Sequence, residues 1–479
     1  MTSGTESAPA PTRRGNGQLI ALIEQAAMSN KEFARAVRAT AVRHGRDAKC
    51  THTSVQRWRD GRMSRAVPPE LIAETLSRAL GRIVSTTDIG MAGPSRSQRP
   101  LWTAEFLESP AELSSVMRAL WVSDLEQEGA VRSEIPATAL SGPGLHWLMA
   151  DRVAAPVGRG TGREVTPADL AGFRDTLHAF DLIARRTGGA AARLPAVQYL
   201  HTSLTPLLTG RYPAETGRSL FGAVALAHLG IGRYTHDAGL HGLARRYLLL
   251  ALCSAHQADD RLLGAHVLTT LAEHAAGAGD QPATANLVRA ALGASSGSNP
   301  RARAALYAAQ AHAQAARQDG EAATHSLAAA SRGLAHAIPQ DAPWLDYFGA
   351  AELADTALRC RLELGDFAAA PADFAAATAA RSPDRLVDQV LARCLLATAY
   401  FRLGDPVQAC TAVEAALNGA QGLQSGTVAA QLAQLATYLA PHRESPRAAA
   451  LLRRIRRCGS PLGSPDTPRS TGAATRPTH

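Results

Sequence analysis

Thr51-His52-Thr53-Ser54-Val55-Gln56-Arg57-Trp58-Arg59-Asp60-Gly61-Arg62 is the stretch that decides how the chain is read. Polar residues able to cap a helix open it. Val55 and Trp58 stand three apart as an inward-facing pair, and Gly61 offers a left-handed stop free of Cβ strain. Gln56, Arg57 and Arg59 fall outside the apolar pair. A short helix with an apolar foot and a cationic, amide-bearing outer face fits the DNA major groove. Arg can fork onto guanine there, and Gln onto adenine. Taken alone, the stretch also reads as a solvated surface helix. Pro68-Pro69-Glu70-Leu71-Ile72-Ala73-Glu74-Thr75-Leu76 and Leu80-Gly81 behind it count against that plainer reading.

On the N-terminal side, Gln18 to Met28 carries a helical apolar stripe. Ser29 or Asn30 caps the next helix, in which Phe33, Ala34, Val37 and Ala41 share a face. Gly45 to Cys50 breaks the pattern, and Pro68-Pro69 opens a helix that Gly81 closes. Four or five short helices with a basic, polar third one make a helix-turn-helix domain over residues 18–90. Phe33, Val37, Val55 and Trp58 form its expected core.

Charge supports the same assignment. Residues 30–66 hold ten Lys/Arg against Glu32, Asp47 and Asp60, the footprint of a surface for a polyanion. Arg43, Arg46, Lys49, Arg59 and Arg62 are the expected phosphate contacts. A second basic run, residues 443–479, has eight Arg against Glu444 and Asp466. Lys accounts for only two of the 50 basic residues, which reads as codon bias in a GC-rich genome.

The stretch Ser54-Val55-x-x-Trp58-x-x-Gly61, with its Pro-Pro and Ile-Ala-x-x-Leu-x-x-x-Leu-Gly sequel, resembles the phage-repressor-like (XRE) helix-turn-helix family. The resemblance implies base reading by His52, Thr53, Gln56 and Arg57 and a phosphate contact at Ser54, with Trp58 in the core. The chain departs from that family at Arg59, where Glu is usual, and in a longer segment before Thr51. Three further stretches resemble actinomycete regulators of sporulation and antibiotic production. They are His52-Thr53-Ser54-Val55-x-Arg57-Trp58 with Pro69 to Glu74; Leu76-Ser77-x-x-Leu80-Gly81-Arg82 through Asp88-Ile89-Gly90; and Asp237-Ala238-Gly239-x-His241-Gly242-Leu243-Ala244-x-Arg246-Tyr247 with Gly264 to Leu268. The developmental role is implied by that likeness alone.

A chain of 479 residues is too long for one core. Residues 1–17 read as a disordered lead without the apolar segment of a signal peptide. Residues 91–165 read as a linker and connector, in which Trp102, Phe106, Trp121 and Trp147 concentrate three of the five tryptophans. Packing or docking is their expected role. Gly158-Arg159-Gly160-Thr161-Gly162 lacks the Lys and Ser/Thr of a phosphate loop and reads as a flexible linker.

Residues 166–457 read as helical throughout, with no convincing strand. Breaks at Gly239, Gly279, Gly320, Gly365 and Gly404 recur at gaps of 40, 41, 45 and 39 residues, the mark of an α-solenoid. Leu396-Ala397, Tyr400, Gly404, Ala409 and Ala416, and again Gly365, Phe367, Ala370, Phe374 and Ala377, resemble divergent tetratricopeptide repeats. Residues 458–479 read as a disordered basic tail.

No run approaches the ~20 apolar residues of a membrane span. Six cysteines without a C-x-x-C pair argue for reduced thiols and against zinc. His236 and His241, five apart, miss the spacing of a helical metal pair, and no catalytic signature is present. The chain is therefore expected to be an all-α, cytoplasmic, nucleoid-associated non-enzyme without a cofactor or metal. Its expected partners are double-stranded DNA, a second copy of itself by two-half-site logic, and a protein or peptide ligand in the repeat groove. The rival class is an interaction scaffold whose helix-turn-helix no longer binds DNA.

Overall fold

The computed structural model describes residues 16–43, 49–61, 67–80, 84, 88–91, 105–127, 129–160, 162–294, 299–338 and 343–458. The chain divides into two compact units, Met1–Arg99 and Pro100–His479. Among the described residues both are all-α, apart from one two-stranded ribbon in the second.

The first unit contains α1 (Gly17–Gln25), α2 (Asn30–Arg43), α3 (His52–Arg59) and α4 (Pro69–Leu80). Asn16 caps α1 by accepting the Leu19 N–H, and its amide donates to the Ile89 carbonyl at 2.7 Å. The last two residues of the expected lead therefore belong to the fold. Ser29 and Glu32 cap α2 reciprocally: the Ser29 hydroxyl accepts the Glu32 N–H, and the Glu32 carboxylate accepts the Ser29 N–H. Phe33 and Val37 of α2, Val55 and Trp58 of α3, and Ile72 and Leu76 of α4 meet in one core with Leu19 and Ile23. The four residues expected at the core are all buried there. Each large apolar side chain so placed contributes roughly 1.5–3 kcal/mol.

In the second unit, the stretch expected as a connector is part of the core. It supplies α5 (Pro110–Leu125), α6 (Ser141–Met149) and strand β1 (Gly158–Arg159). Trp121 and Trp147 are fully buried, whereas Trp102 lies outside the described residues. The Trp121 indole donates to His228 Nε2 at 3.2 Å. Trp147 packs where Gly264 leaves room, and the Arg261 guanidinium lies 4.3 Å above its ring.

Next in the chain are α7 (Pro167–Thr187), α8 (Gly189–Tyr199), a π turn (Leu200–Leu204), α9 (Thr205–Leu208) and strand β2 (Arg211–Tyr212). The π turn precedes Pro206, which has no N–H to give to a regular helical ladder. β1 pairs antiparallel with β2 through Gly158 opposite Tyr212 and Arg159 opposite Arg211. Part of the expected glycine-rich linker is thus a strand. Two residues carry too little alternation to be legible in sequence.

Six antiparallel helix pairs follow among the described residues. They are α10 (Ala214–Asp237) with α11 (His241–Gln257), α12 (Arg261–Gly277) with α13 (Gln281–Ala294), and α14 (Pro300–Ala315) with α15 (Gly320–Ala335). The remaining three are α16 (Ala350–Leu364) with α17 (Ala370–Ala380), α18 (Leu386–Arg402) with α19 (Pro406–Gly419), and α20 (Gly426–Leu439) with α21 (Pro446–Cys458). The turns inside the first, second, fourth and fifth pairs pass through the left-handed region at Gly239, Gly279, Gly365 and Gly404. In the third pair Gln318 takes that conformation, and Gly320 is instead the first residue of α15, capped by Asp319. Alanines let the helices approach: a Cβ on Gly333 of α15 would sit 3.1 Å from that of Ala304 in α14.

The array returns on itself. α18 lies against α7, and the start of α20 lies against α10. Gln424 donates its N–H to the Thr187 carbonyl at 2.6 Å and accepts from Ala190 at 3.2 Å. The Asp237 carboxylate, at the end of α10, accepts the Gly189 N–H at 2.6 Å and the Ser425 hydroxyl at 2.5 Å.

Candidate functional site

Helix α3 of the first unit is built from a cap and an anchor. The Thr51 hydroxyl accepts the Ser54 N–H and the Ser54 hydroxyl accepts the Thr51 N–H, a reciprocal box that fixes the first turn. Val55 and Trp58 hold the opposite side in the core. What remains outside is His52, Thr53, Gln56 and Arg57, all exposed.

These four side chains are not equally free. Arg57 makes no hydrogen bond or ion pair with any described residue. Among the described residues, His52 and Thr53 make side-chain hydrogen bonds only with each other, at 3.5 Å. Gln56 is engaged at both ends, accepting from the Asn30 amide at 3.1 Å and donating to Asp60 at 3.0 Å.

Of the residues expected at phosphates, Lys49 is exposed, and Ser54 is occupied by the cap. Arg59 is turned toward α1 and α2, where it donates to Asn30 at 2.9 Å and lies 3.6 Å from Glu24. The Arg43 side chain, Arg46 and Arg62 lie outside the described residues. Lys31, Arg35 and Arg38 of α2 are exposed as well, so the described part of this unit keeps a cationic surface around α3.

The second unit offers a concave face instead. Several histidines gather there and beside it. His236 and His241 face each other Nδ1 to Nδ1 at 3.2 Å, and the His274 ring lies 4.0 Å from that of His236. Burial, then His241 and Arg245, push His236 down to about 4. Burial, then Arg233, push His266 down to about 3, and burial with Arg359 holds His312 at about 4. The imidazoles of His236, His266 and His312 are neutral donors and acceptors at ordinary pH. No group of three His, Cys, Asp or Glu among the described residues is arranged to hold a metal ion. Cys50, Cys253, Cys360, Cys394 and Cys410 are free and buried. No helix among the described residues is long and apolar enough to cross a membrane.

Residues 19–92 match the family model of the SP15 N-terminal domain. That match spans α1 to α4 and is not to the phage-repressor-like family that the sequence resembled. No curated protein matches the chain.

Proposed function

We propose that the chain is a sequence-specific DNA-binding transcriptional regulator that reads bases with α3. The observation that carries this reading is the outward face of α3. Arg57, His52 and Thr53 project from a short, capped helix whose other side is fixed by Val55 and Trp58. A rigid helix with an unpaired guanidinium suits the major groove, where an Arg fork on guanine specifies sequence. Lys31, Arg35 and Lys49 supply the charge for phosphates on either side. Arg59 and Ser54 stay out of this set because their side chains are used within the fold. A developmental setting rests on the likeness of the quoted stretches.

The helical pairs of the second unit support a partner-binding role beside it, by a second copy or by a protein or peptide in a repeat groove of tetratricopeptide type. A scaffold without DNA affinity is the alternative, favoured by the concave face of that unit.

Selection of bound fragments from genomic DNA at two salt concentrations tests the reading. Enrichment of a shared motif that survives the higher salt is expected. Weak binding lost uniformly with salt, without a motif, would leave only a cationic surface and transfer the assignment to the scaffold.

A further inference from the structure

The end of the helical array carries a surplus of positive charge. Residues 406–458 hold six Arg against Glu414 and Glu444, with no Lys or Asp. Five of the six belong to α21. α20, packed against it, has no charged residue, and the only acid of α19 is Glu414.

Helix α21 sorts its side chains into three faces. Ala448, Leu451 and Ile455 are buried in the core that it shares with α19 and α20. Arg447 and Arg454, two turns apart, lean on α19. Arg447 donates to Glu414 at 3.0 Å and to the Thr411 hydroxyl at 3.1 Å, and Arg454 donates to Asn418 at 2.7 Å. Arg453, Arg456 and Arg457 take the face opposite the core, at the i, i+3 and i+4 positions that lie side by side on a helix. All three are exposed, and their side chains form no hydrogen bond or ion pair with any described residue. Arg443, just before α21, is exposed and unpaired among the described residues in the same way. Of the two acids, Glu414 is taken by Arg447, which leaves Glu444 beside Arg443. Four guanidinium groups thus face solvent against one carboxylate.

Helix stability does not call for this whole set. Cations in the last turn offset the helix dipole, which gives Arg456 and Arg457 a structural role but not Arg453 or Arg443. Nor does the face suit a bilayer, because Leu451 and Ile455, the apolar side of this amphipathic helix, are spent in the core.

We propose that the face of Arg453, Arg456 and Arg457 is a second contact for DNA, holding the phosphate backbone without reading sequence. Neighbouring guanidinium groups on flexible stems neutralise phosphates and release their counterions. The choice of DNA as the polyanion rests on the DNA-binding reading of the first unit, whereas the surface itself does not.

Titration of the full chain with a duplex of random sequence, and with the duplex selected from genomic DNA, over a series of salt concentrations tests it. Arg453→Gln, Arg456→Gln and Arg457→Gln combined are expected to weaken both duplexes alike, by at least ~10-fold at low salt, and to flatten the slope of log affinity against log salt by about 2–3. The ratio between the two duplexes is expected to hold. Unchanged affinity and slope overturn the proposal, even where the selected duplex is preferred. A loss on random duplex where no sequence is preferred upholds it and removes the base-reading role of α3 instead. Phosphatidylserine vesicles and polyglutamate are the comparison polyanions, and a larger loss on either than on DNA overturns the choice of DNA. Gln is a good helix former, and the variant is compared at matched urea unfolding midpoints. Should the combined variant fail to fold, Arg453→Gln alone decides: a slope flattened by about 1 supports the contact, and an unchanged slope overturns it.

Discussion

Arg193 meets Asp124 in the interior of the second unit through a single nitrogen, Nη1, which lies 2.6 and 2.7 Å from the two carboxylate oxygens. The Tyr247 hydroxyl donates to the same carboxylate at 2.8 Å, and all three side chains are buried. One acidic residue of α5 thereby ties that helix to α8 and α11. Asp124→Asn leaves a buried guanidinium uncompensated and is expected to cost about 3–5 kcal/mol. Tyr247→Phe removes one hydrogen bond to a charged group, about 1.5–3 kcal/mol. Urea unfolding of both variants checks this. Equal midpoints for Asp124→Asn and wild type would sink it.

Cap and reading face of α3 separate by experiment. Thr51→Ala removes the capping hydroxyl and is expected to destabilise the first unit by about 1 kcal/mol. Arg57, exposed and unpaired among the described residues, is expected on change to Ala to leave stability unchanged, to weaken the preferred site by about 1–3 kcal/mol and to relax preference at one base. Thermal unfolding and quantitative DNA binding form the paired measurement. An unchanged site preference in Arg57→Ala would remove that residue from the reading set.

Gly264 is a matter of space. Its backbone is helical, but a Cβ there would run into the Trp147 ring. Gly264→Ala is expected to displace α6 from α12 and destabilise the second unit by about 1–3 kcal/mol. Trp147 has the opposite problem: its removal opens a hole, so Trp147→Ala should cost about 3–5 kcal/mol. Calorimetric unfolding distinguishes these from a neutral surface change such as Gln434→Ala.

Histidines of the second unit set a direction for its response to acid. Burial pushes His228 down to about 3. His266 at about 3, and His236 and His312 at about 4, follow the same sense. Their folded values lie below the unfolded one near 6.5. Above pH ~6.5 neither state is protonated and stability is complete. As pH falls from there toward 4, the unfolded chain takes up protons that the folded chain refuses. Stability should drop by up to about 1.4 kcal/mol per pH unit for each such histidine. His228→Gln keeps an acceptor for the Trp121 indole and should flatten the slope. Unfolding midpoints that stay constant between pH 7.5 and 5 would contradict this.

Much of the architecture is legible in the sequence because it rests on local signals. Val55 and Trp58 announce an anchored helix, and Gly239, Gly279, Gly365 and Gly404 announce turns that need a left-handed residue. Gly320 misleads by two positions, since Gln318 makes that turn without a glycine to advertise it. The docking of α5 and α6 was less visible. Trp121 and Trp147 signal burial, but their partners His228 and Gly264 lie more than 100 residues away. At α3 the limit is similar. Nothing local shows that Asn30 engages both Gln56 and Arg59. The stacking of Arg233 on the Tyr347 ring is likewise invisible, because more than 100 residues separate the two.

The bonds from Asp237 to Gly189 and Ser425 bear on how the second unit comes apart. A linear array of helical pairs breathes from its two ends, where each terminal pair has one neighbour only. Here the sixth pair borders the first, so neither is terminal in that sense. Fraying of one pair must break contacts on both of its sides, which couples distant stretches of chain into a single melting event. Amide protons of α20 should then exchange at rates close to those of α10, and a protease should find no progressive way in from the end of the array.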